Sequence, residues 1–277
     1  MIVWIASFPK SGNTWLRAFL CSYLYTNPDD NNFDFGLFKN ILRFPNSKQY
    51  EDIGIKPKNF EDVAKNWIAA QEKINSNKKI NFLKTHNAFG GLENSPFTNK
   101  KNTLGAIYLV RDPRDVLVSY SRHLELSIDK TLELVLEDDH KGWLNENKKD
   151  VIGEIRGSWA QNYNSWKNYY LTEKIIIKYE DLIKDPFNNF SNVIKYLNKL
   201  FGLEINDEKI KKCIEITDFN KLKNLEMKTG FVENYNKKES FFNKGQANQW
   251  QNLLDEKVTY KLEKKFKKEM QELKYID

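Results

Sequence analysis

The chain opens on the feature that most restricts its fold, a strand that runs straight into a helix: Met1-Ile2-Val3-Trp4-Ile5-Ala6-Ser7-Phe8-Pro9-Lys10-Ser11-Gly12-Asn13-Thr14-Trp15-Leu16-Arg17. The apolar run of residues 2–6 shows no alternation, so both of its faces are expected to be buried. Pro9 and Gly12 punctuate a turn. A helix is expected over residues 14–25, with Trp15, Leu16, Phe19, Leu20 and Tyr23 near helical spacing. Further short apolar strands are expected at residues 80–84, 104–110 and 174–178. Helices are expected between and after them, at 59–73, from Asp115 to about 120, and at 157–170. Asp185-Pro186 opens another, whose apolar face is Phe187, Phe190, Ile194, Leu197 and Phe201 and which Gly202 closes. Two more follow, at 207–216 and in a basic final segment carrying Val258, Leu262, Phe266 and Met270. Buried strands alternating with helices specify an α/β fold, a mostly parallel central sheet flanked by helices. Residues 27–60 read as irregular, and 125–155 are charged without a clear period. With no linker, composition shift or repeat, all 277 residues are expected to form one domain, 1–277.

The strand, tight loop and helix start make an anion cradle, because backbone amides and the positive end of the helix dipole point at whatever occupies the loop. Lys10 adds a full charge, and Ser11 and Thr14 add hydroxyl donors. The loop is P-loop-like without being a Walker A motif, since Lys10 precedes the loop's glycine and no Gly-Lys-Ser/Thr follows. It also lacks the three glycines of a dinucleotide fingerprint. Ligands of open α/β sheets bind beyond the carboxyl ends of the strands, which makes Lys10, His86, Arg111 and Tyr179 candidate site residues. The 18 Phe, 13 Tyr and 7 Trp can fill a core and also stack on a base. A net charge of +6 suits an anionic ligand and is too mild to indicate nucleic acid. The two cysteines, Cys21 and Cys213, lie among apolar neighbours as small core residues, with no metal-ligand spacing and no disulfide framework. With a first strand expected at residue 2, no signal peptide is expected, and no apolar run approaches the roughly 20 residues of a membrane helix. A cytoplasmic enzyme without a membrane span is expected.

The order Pro9-Lys10-Ser11-Gly12-Asn13-Thr14-Trp15 resembles the phosphosulfate-binding loop of sulfotransferases, enzymes that take a sulfuryl group from 3′-phosphoadenosine 5′-phosphosulfate (PAPS). Lys84-Thr85-His86 resembles the Lys-Thr-His segment of the cytosolic-type members. The stretch Tyr108-Leu109-Val110-Arg111-Asp112-Pro113-Arg114-Asp115-Val116-Leu117-Val118-Ser119-Tyr120 is similar to their 3′-phosphate-binding segment. Gly157-Ser158-Trp159, Tyr179-Glu180-Asp181-Leu182, Thr217-Asp218-Phe219 and Lys244-Gly245 fall in the same order. Singly each match is short; together they run from residue 2 to about 250. The resemblance implies a single sulfotransferase domain that binds PAPS as donor co-substrate, releases the bisphosphate PAP and uses no metal. It implies a small-molecule acceptor with a hydroxyl or amine, and no nucleic acid. It implies that Lys10, Ser11, Gly12, Asn13, Thr14 and Trp15 hold the phosphosulfate end, and that Arg111 and Ser119 bind the 3′-phosphate, helped by Lys244 and Gly245. Trp15 and Phe219 would sandwich the adenine, with Tyr179 and Thr217 nearby.

The resemblance implies that His86 is the catalytic base, and chemical reasoning supports the roles. In-line sulfuryl transfer requires positioning and charge stabilisation, as phosphoryl transfer does. The acceptor must lose a proton, and a neutral histidine is the natural base, here His86. Lys10 would stabilise charge on the leaving phosphate; Lys84 is either a second such group or structural. His123 and His140 are expected at the surface, and Trp159, Tyr163, Trp166 and Tyr170 in the core. Two departures stand out. Asn243 occupies the place of the family's arginine before Lys244-Gly245, so donor affinity is weakened or a nearby lysine compensates. Asp218 replaces a serine, and a carboxylate beside a phosphate is expected to point away. The acceptor pocket is expected from residues 27–60, 125–155 and 225–243, with Phe33, Phe35, Trp143 and Phe231 as aromatic candidates. Monomer and homodimer both stay open, since the dimer motif of some relatives is not evident after Trp250. A P-loop kinase would need a Walker lysine and an Mg²⁺-binding carboxylate where Arg111 stands. A basic nucleotide- or nucleic-acid-binding module would show strong salt dependence and no turnover.

Overall fold

In a computed structural model of the chain, residues 1–27, 30–142, 152–234 and 240–277 are described. Strand β1 (Ile2–Ser7) is buried along its whole length, as its unbroken apolar run requires. It pairs in parallel with β3 (Asn81–Thr85) and with β6 (Thr103–Val110). Parallel to β3 runs β2 (Ile41–Arg43), and β9 (Lys174–Lys178) completes a five-stranded sheet of order β2-β3-β1-β6-β9. Ala6 stands opposite both Thr85 and Tyr108, so the three central strands end almost level. Two small antiparallel ladders lie outside this sheet, β4 (Gly91–Leu92) with β5 (Ser95–Pro96) and β7 (Lys141–Gly142) with β8 (Glu154–Ile155).

Helix α1 (Asn13–Tyr25) follows β1 through the expected turn. The stretch 27–60 is more ordered than its composition suggests. It holds the edge strand β2, too short to show a period, and α2 (Ser47–Glu51). The latter starts on a capping box in which Asn46 Oδ1 accepts the Gln49 amide at 3.1 Å and Gln49 Oε1 accepts the Asn46 amide at 3.0 Å. The single helix expected at 59–73 is two, α3 (Phe60–Lys65) and α4 (Trp67–Asn75). Between them the side chain of Asn66 donates back to the Asp62 carbonyl at 2.8 Å, competing with the helix ladder. Helix α5 (Pro113–Leu124) begins before Asp115, because Asp112 caps it by accepting the Arg114 amide at 2.9 Å and Pro113 sits at the first helical position. Residues 125–155 contain α6 (Ile128–Leu136) and the β7–β8 ladder.

Helix α7 (Trp159–Lys167) stops before Tyr170, so the aromatic stripe ends differently from its expected spacing: Tyr169 is 2% exposed and Tyr170 80%. Helix α8 (Tyr179–Lys184) leads into α9 (Pro186–Phe201), which starts at Asp185-Pro186 and ends at left-handed Gly202 as expected. Then come α10 (Asp207–Ile216), α11 (Phe219–Thr229), α12 (Glu256–Lys265) and α13 (Lys267–Glu272), the last two separated at buried Phe266.

The chain forms two compact units. The first comprises Met1–Phe8, Asn40–Leu109 and Asp138–Ile176. In its core Trp4 meets Phe97 at 4.9 Å and Phe44 at 5.4 Å between ring centroids, beside buried Trp67 and Trp166. The second comprises Pro9–Lys39, Val110–Glu137 and Ile177–Asp277. Its core stacks Phe19 on Phe190 at 4.0 Å, with Ile194, Leu197, Ile210 and Cys213 also buried. Each such side chain contributes about 1.5–3 kcal/mol when fully buried. Cys21 and Cys213 are both unbridged and buried, small core residues as expected. Among the described residues no helix is long and apolar enough to cross a membrane.

Candidate active site

In the first unit the candidate base His86 lies just past the end of β3. Its Nδ1 lies 2.8 Å from the Ser7 carbonyl oxygen and 3.3 Å from Ser7 Oγ. A carbonyl can only accept, so Nδ1 carries the hydrogen in that bond and Nε2 holds the basic lone pair. The backbone is fixed on both sides. The His86 amide donates to Glu154 Oε1 at 3.2 Å, and its carbonyl accepts from Asn162 Nδ2 at 3.0 Å. Asn162 is itself oriented by the Tyr108 hydroxyl, which donates to Oδ1 at 2.9 Å. Burial first, then the Lys84 ammonium, push the His86 pKa well below its ordinary 6.5. Arg43 adds to this, while Glu154 and the Ser7 carbonyl oppose it. The ring is therefore neutral at pH 7. Lys84 is 6% exposed on β3, where it registers with Arg43 of β2 and with Ile5 of β1.

Glu154, fully buried on β8, was hidden in the stretch without a readable pattern. It accepts Arg43 Nε at 3.1 Å and Arg156 Nε at 3.3 Å, and both guanidinium groups also reach it through Nη2. Burial alone would raise its pKa; Arg43 and Arg156 instead hold the carboxylate well below the usual range.

The second unit contains most of the motifs expected to bind an anion. Lys10 and Gly12 both take left-handed φ, 65° and 97°, and α1 then starts without an acidic residue in its first turn or a side-chain cap. The positive end of its dipole is left unopposed by a carboxylate. The Ser11 hydroxyl is buried and has no hydrogen-bond partner among the described residues. A Cβ on Gly12 would overlap the Tyr179 ring, so the glycine lets that ring lie on the loop. Trp15 meets Tyr179 edge-on at 6.4 Å and Phe190 at 5.3 Å. Arg111 ties three motifs together. Its Nη1 donates to the Lys10 carbonyl at 3.2 Å, its Nη2 to the Gln246 carbonyl at 3.0 Å, and its guanidinium lies 4.4 Å over the Tyr179 ring. Asp115, 3.5 Å from Arg111, accepts the amides of Asn248 at 2.7 Å and Trp250 at 3.1 Å. Gly245, at φ 62°, lies so close to the Phe219 ring that a Cβ there would overlap it.

The remaining candidates are more dispersed. Ser119 is partly buried on α5, and Lys244 is exposed. Thr217 is fully buried, and its hydroxyl donates to the Cys213 carbonyl at 2.6 Å. Asp218 is exposed and caps α11 by accepting the Asn220 amide at 2.9 Å, a role in which aspartate and serine serve equally. Lys223 Nζ donates to the Asn243 carbonyl at 2.9 Å, so a lysine does reach the position where the family pattern has arginine.

Residues not foreseen complete this unit. Lys10 Nζ sits 3.9 Å from the centroid of the Phe241 ring. The segment carrying Phe241 is held by buried Glu226, which accepts Asn234 Nδ2 at 2.7 Å, the amides of Phe241 at 2.7 Å and Phe242 at 3.0 Å, and the Ser240 hydroxyl. The available signal was a carboxylate four residues after Leu222, on the buried face of an amphipathic helix. Phe35 gathers Phe33 at 6.0 Å, Phe231 at 4.7 Å and Phe242 at 5.9 Å. Trp143 lies outside the described residues. His123, expected at the surface, is partly buried and meets Phe241 edge-on at 6.0 Å. One ammonium, one guanidinium, a buried hydroxyl without a partner among the described residues and a helix N-terminus without a side-chain cap suit a ligand with two anionic groups.

A family model described as the sulfotransferase domain matches residues 2–274. Flavonol 4′-sulfotransferase of Flaveria chlorifolia is 27% identical over 269 residues, covering 95% of this chain and 77% of that protein. Sulfotransferase 1B1 of Canis lupus familiaris is 27% identical over 278 residues, covering 96% and 82%. Among solved structures, mouse sulfotransferase SULT7A1 complexed with PAP shares the fold, with a TM-score of 0.61 at 22% identity over 97% of this chain and 83% of that one. The strand–loop–helix cradle, the histidine held at the end of β3 and a match over nearly the whole length agree: the chain belongs to the sulfotransferase-domain family and is a sulfotransferase.

Proposed function

We propose that this sulfotransferase uses PAPS as donor and a small molecule with a hydroxyl or amine as acceptor, with His86 as general base. The observation that carries the base assignment is the bond between His86 Nδ1 and the Ser7 carbonyl, which leaves Nε2 as the proton-accepting nitrogen of a neutral ring. PAPS, when bound, supplies a sulfuryl group on a phosphate leaving group. Lys10, Ser11, Gly12, Asn13, Thr14 and Trp15 hold its phosphosulfate end in this reading. Arg111, Ser119, Lys244 and Gly245 bind the 3′-phosphate, with Lys223 supplying the charge that Asn243 lacks. Trp15, Tyr179, Phe219 and Thr217 surround the nucleoside. Lys10 and Lys84 hold negative charge at the leaving oxygen, and His86 Nε2 takes the acceptor's proton. PAP is the remaining product, and the scheme calls for no metal.

Both compact units belong, in this proposal, to one sulfotransferase domain spanning 1–277, a reading supported by the continuous family match. A small acceptor is supported by the flavonol in one relative's name and by the cluster of Phe33, Phe35 and Phe231. A cytoplasmic location is supported by two buried, unbridged thiols. The test is incubation of the protein with ³⁵S-labelled PAPS and a panel of phenols, steroids, sugars, amines and lipids. Label is expected to move to at least one acceptor class, in the presence of a chelator and with PAP as competitor. Absence of calorimetric binding of PAP overturns the donor assignment.

A further inference from the structure

Glu154 is an expensive residue to bury, and its surroundings indicate what it does. A carboxylate and the guanidinium groups of Arg43 and Arg156 are withdrawn from water together, their side chains 0%, 18% and 8% exposed. Apolar side chains of similar volume would fill such a space at equal or lower cost, so the cluster calls for a role besides packing. Its contacts supply one. Each element bound to Glu154 is a short piece with little structure of its own: the end of edge strand β2 through Arg43, the residues after β8 through Arg156, and the main chain just beyond β3 through the His86 amide at 3.2 Å. That last bond lies one residue past the end of the β3 ladder, where sheet pairing no longer fixes the backbone. The ring's bond to Ser7 depends on where this backbone is held.

We propose that Glu154 is a positioning residue for His86: its carboxylate anchors the His86 main chain and balances Arg43 and Arg156, keeping the imidazole on the Ser7 carbonyl with Nε2 as its basic nitrogen. The proposal rests on His86 being the general base. Among the described residues, the groups that bear on His86 are Lys84 from β3, Arg43 from β2, Glu154 from β8 and the Ser7 carbonyl from β1. Glu154 and Arg43 bias the ring in opposite directions, so changing each separately should move its titration oppositely.

The test compares Glu154→Gln and Arg43→Met in the full chain, with His86→Ala as reference. Glu154→Gln is expected to lower kcat at least tenfold and to move the acid limb of kcat/KM for the acceptor to lower pH. Arg43→Met is expected to move that limb to higher pH. PAP affinity should stay within about twofold in both, which a general loosening of the fold would not allow. If Glu154→Gln fails to fold, the upward shift in Arg43→Met, at a partly exposed strand edge, still decides the matter: an unmoved limb overturns the proposal. If His86→Ala keeps full turnover, the base assignment itself fails. If His86→Ala is inactive while both other variants keep the wild-type rate and profile, only the role of Glu154 is overturned.

Discussion

His86 owes its chemistry to its neighbours. Burial and Lys84 disfavour the imidazolium, so its folded-state pKa lies well below 6.5, whereas in the unfolded chain it is about 6.5. Between those values the unfolded chain binds more protons, so the stability attributable to His86 is complete above pH 6.5 and falls as the pH drops towards the folded value. Glu154, depressed in its turn, acts in the same direction below its own unfolded pKa. The ring resonances of His86 in ligand-free protein are expected to titrate well below pH 6.5 by NMR; a midpoint at or above 6.5 contradicts the electrostatic account. Lys223 is the second residue whose role emerges from its contacts. If it supplies the charge missing at Asn243, Lys223→Ala should weaken PAP binding about tenfold, the worth of one charge-assisted hydrogen bond. Unchanged calorimetric affinity would remove it from the donor site. That Lys10, Arg111 and Tyr179 come together was legible in the sequence, because chemistry and strand-end position coincide in them. Glu154 and Glu226 were not. A glutamate in a charged stretch looks like solvated surface until the chain folds and brings amide and guanidinium donors to it.

Elements were legible in proportion to their punctuation. Helix α9 carries Asp185-Pro186 at one end and Gly202 at the other and was bounded to the residue. The break between α3 and α4 falls at Asn66, a residue that a helix tolerates and whose effect comes from its partner Asp62, and the break between α12 and α13 falls at Phe266, where the backbone leaves the helical region. The edge strand β2 has only three residues and exists by virtue of pairing with β3. The loops around the anion site have a stricter requirement, for backbone without a side chain. Gly245→Ala must place Ala at positive φ, at a cost of about 1–2 kcal/mol, and also displace the Phe219 ring. Gly202→Ala, at φ 74° with open space around it, carries the strain alone. Both variants are expected to melt at a lower temperature than wild type, but only Gly245→Ala should lose PAP affinity, by tenfold or more. Equal affinities would separate Gly245 from the donor site.

At the scale of the molecule, the proposed base and the proposed donor cradle belong to different compact units, each assembled from three separate stretches of chain. A ligand that binds only folded protein stabilises it by mass action, by about 2.7 kcal/mol at a hundredfold excess over Kd. PAP is therefore expected to raise the melting temperature, and the rise should appear equally in probes of the first unit, where Trp4 and Trp166 lie, and of the second, which carries the proposed donor cradle. A shift confined to the second unit would show that the two unfold separately. The chain passes between the units after Phe8, Lys39, Leu109, Glu137 and Ile176. The interleaving bears on how such a protein can change over generations. No single recombination event can exchange one unit whole, since neither is encoded as one continuous segment. Exchange of either unit between relatives would take several recombination events rather than one.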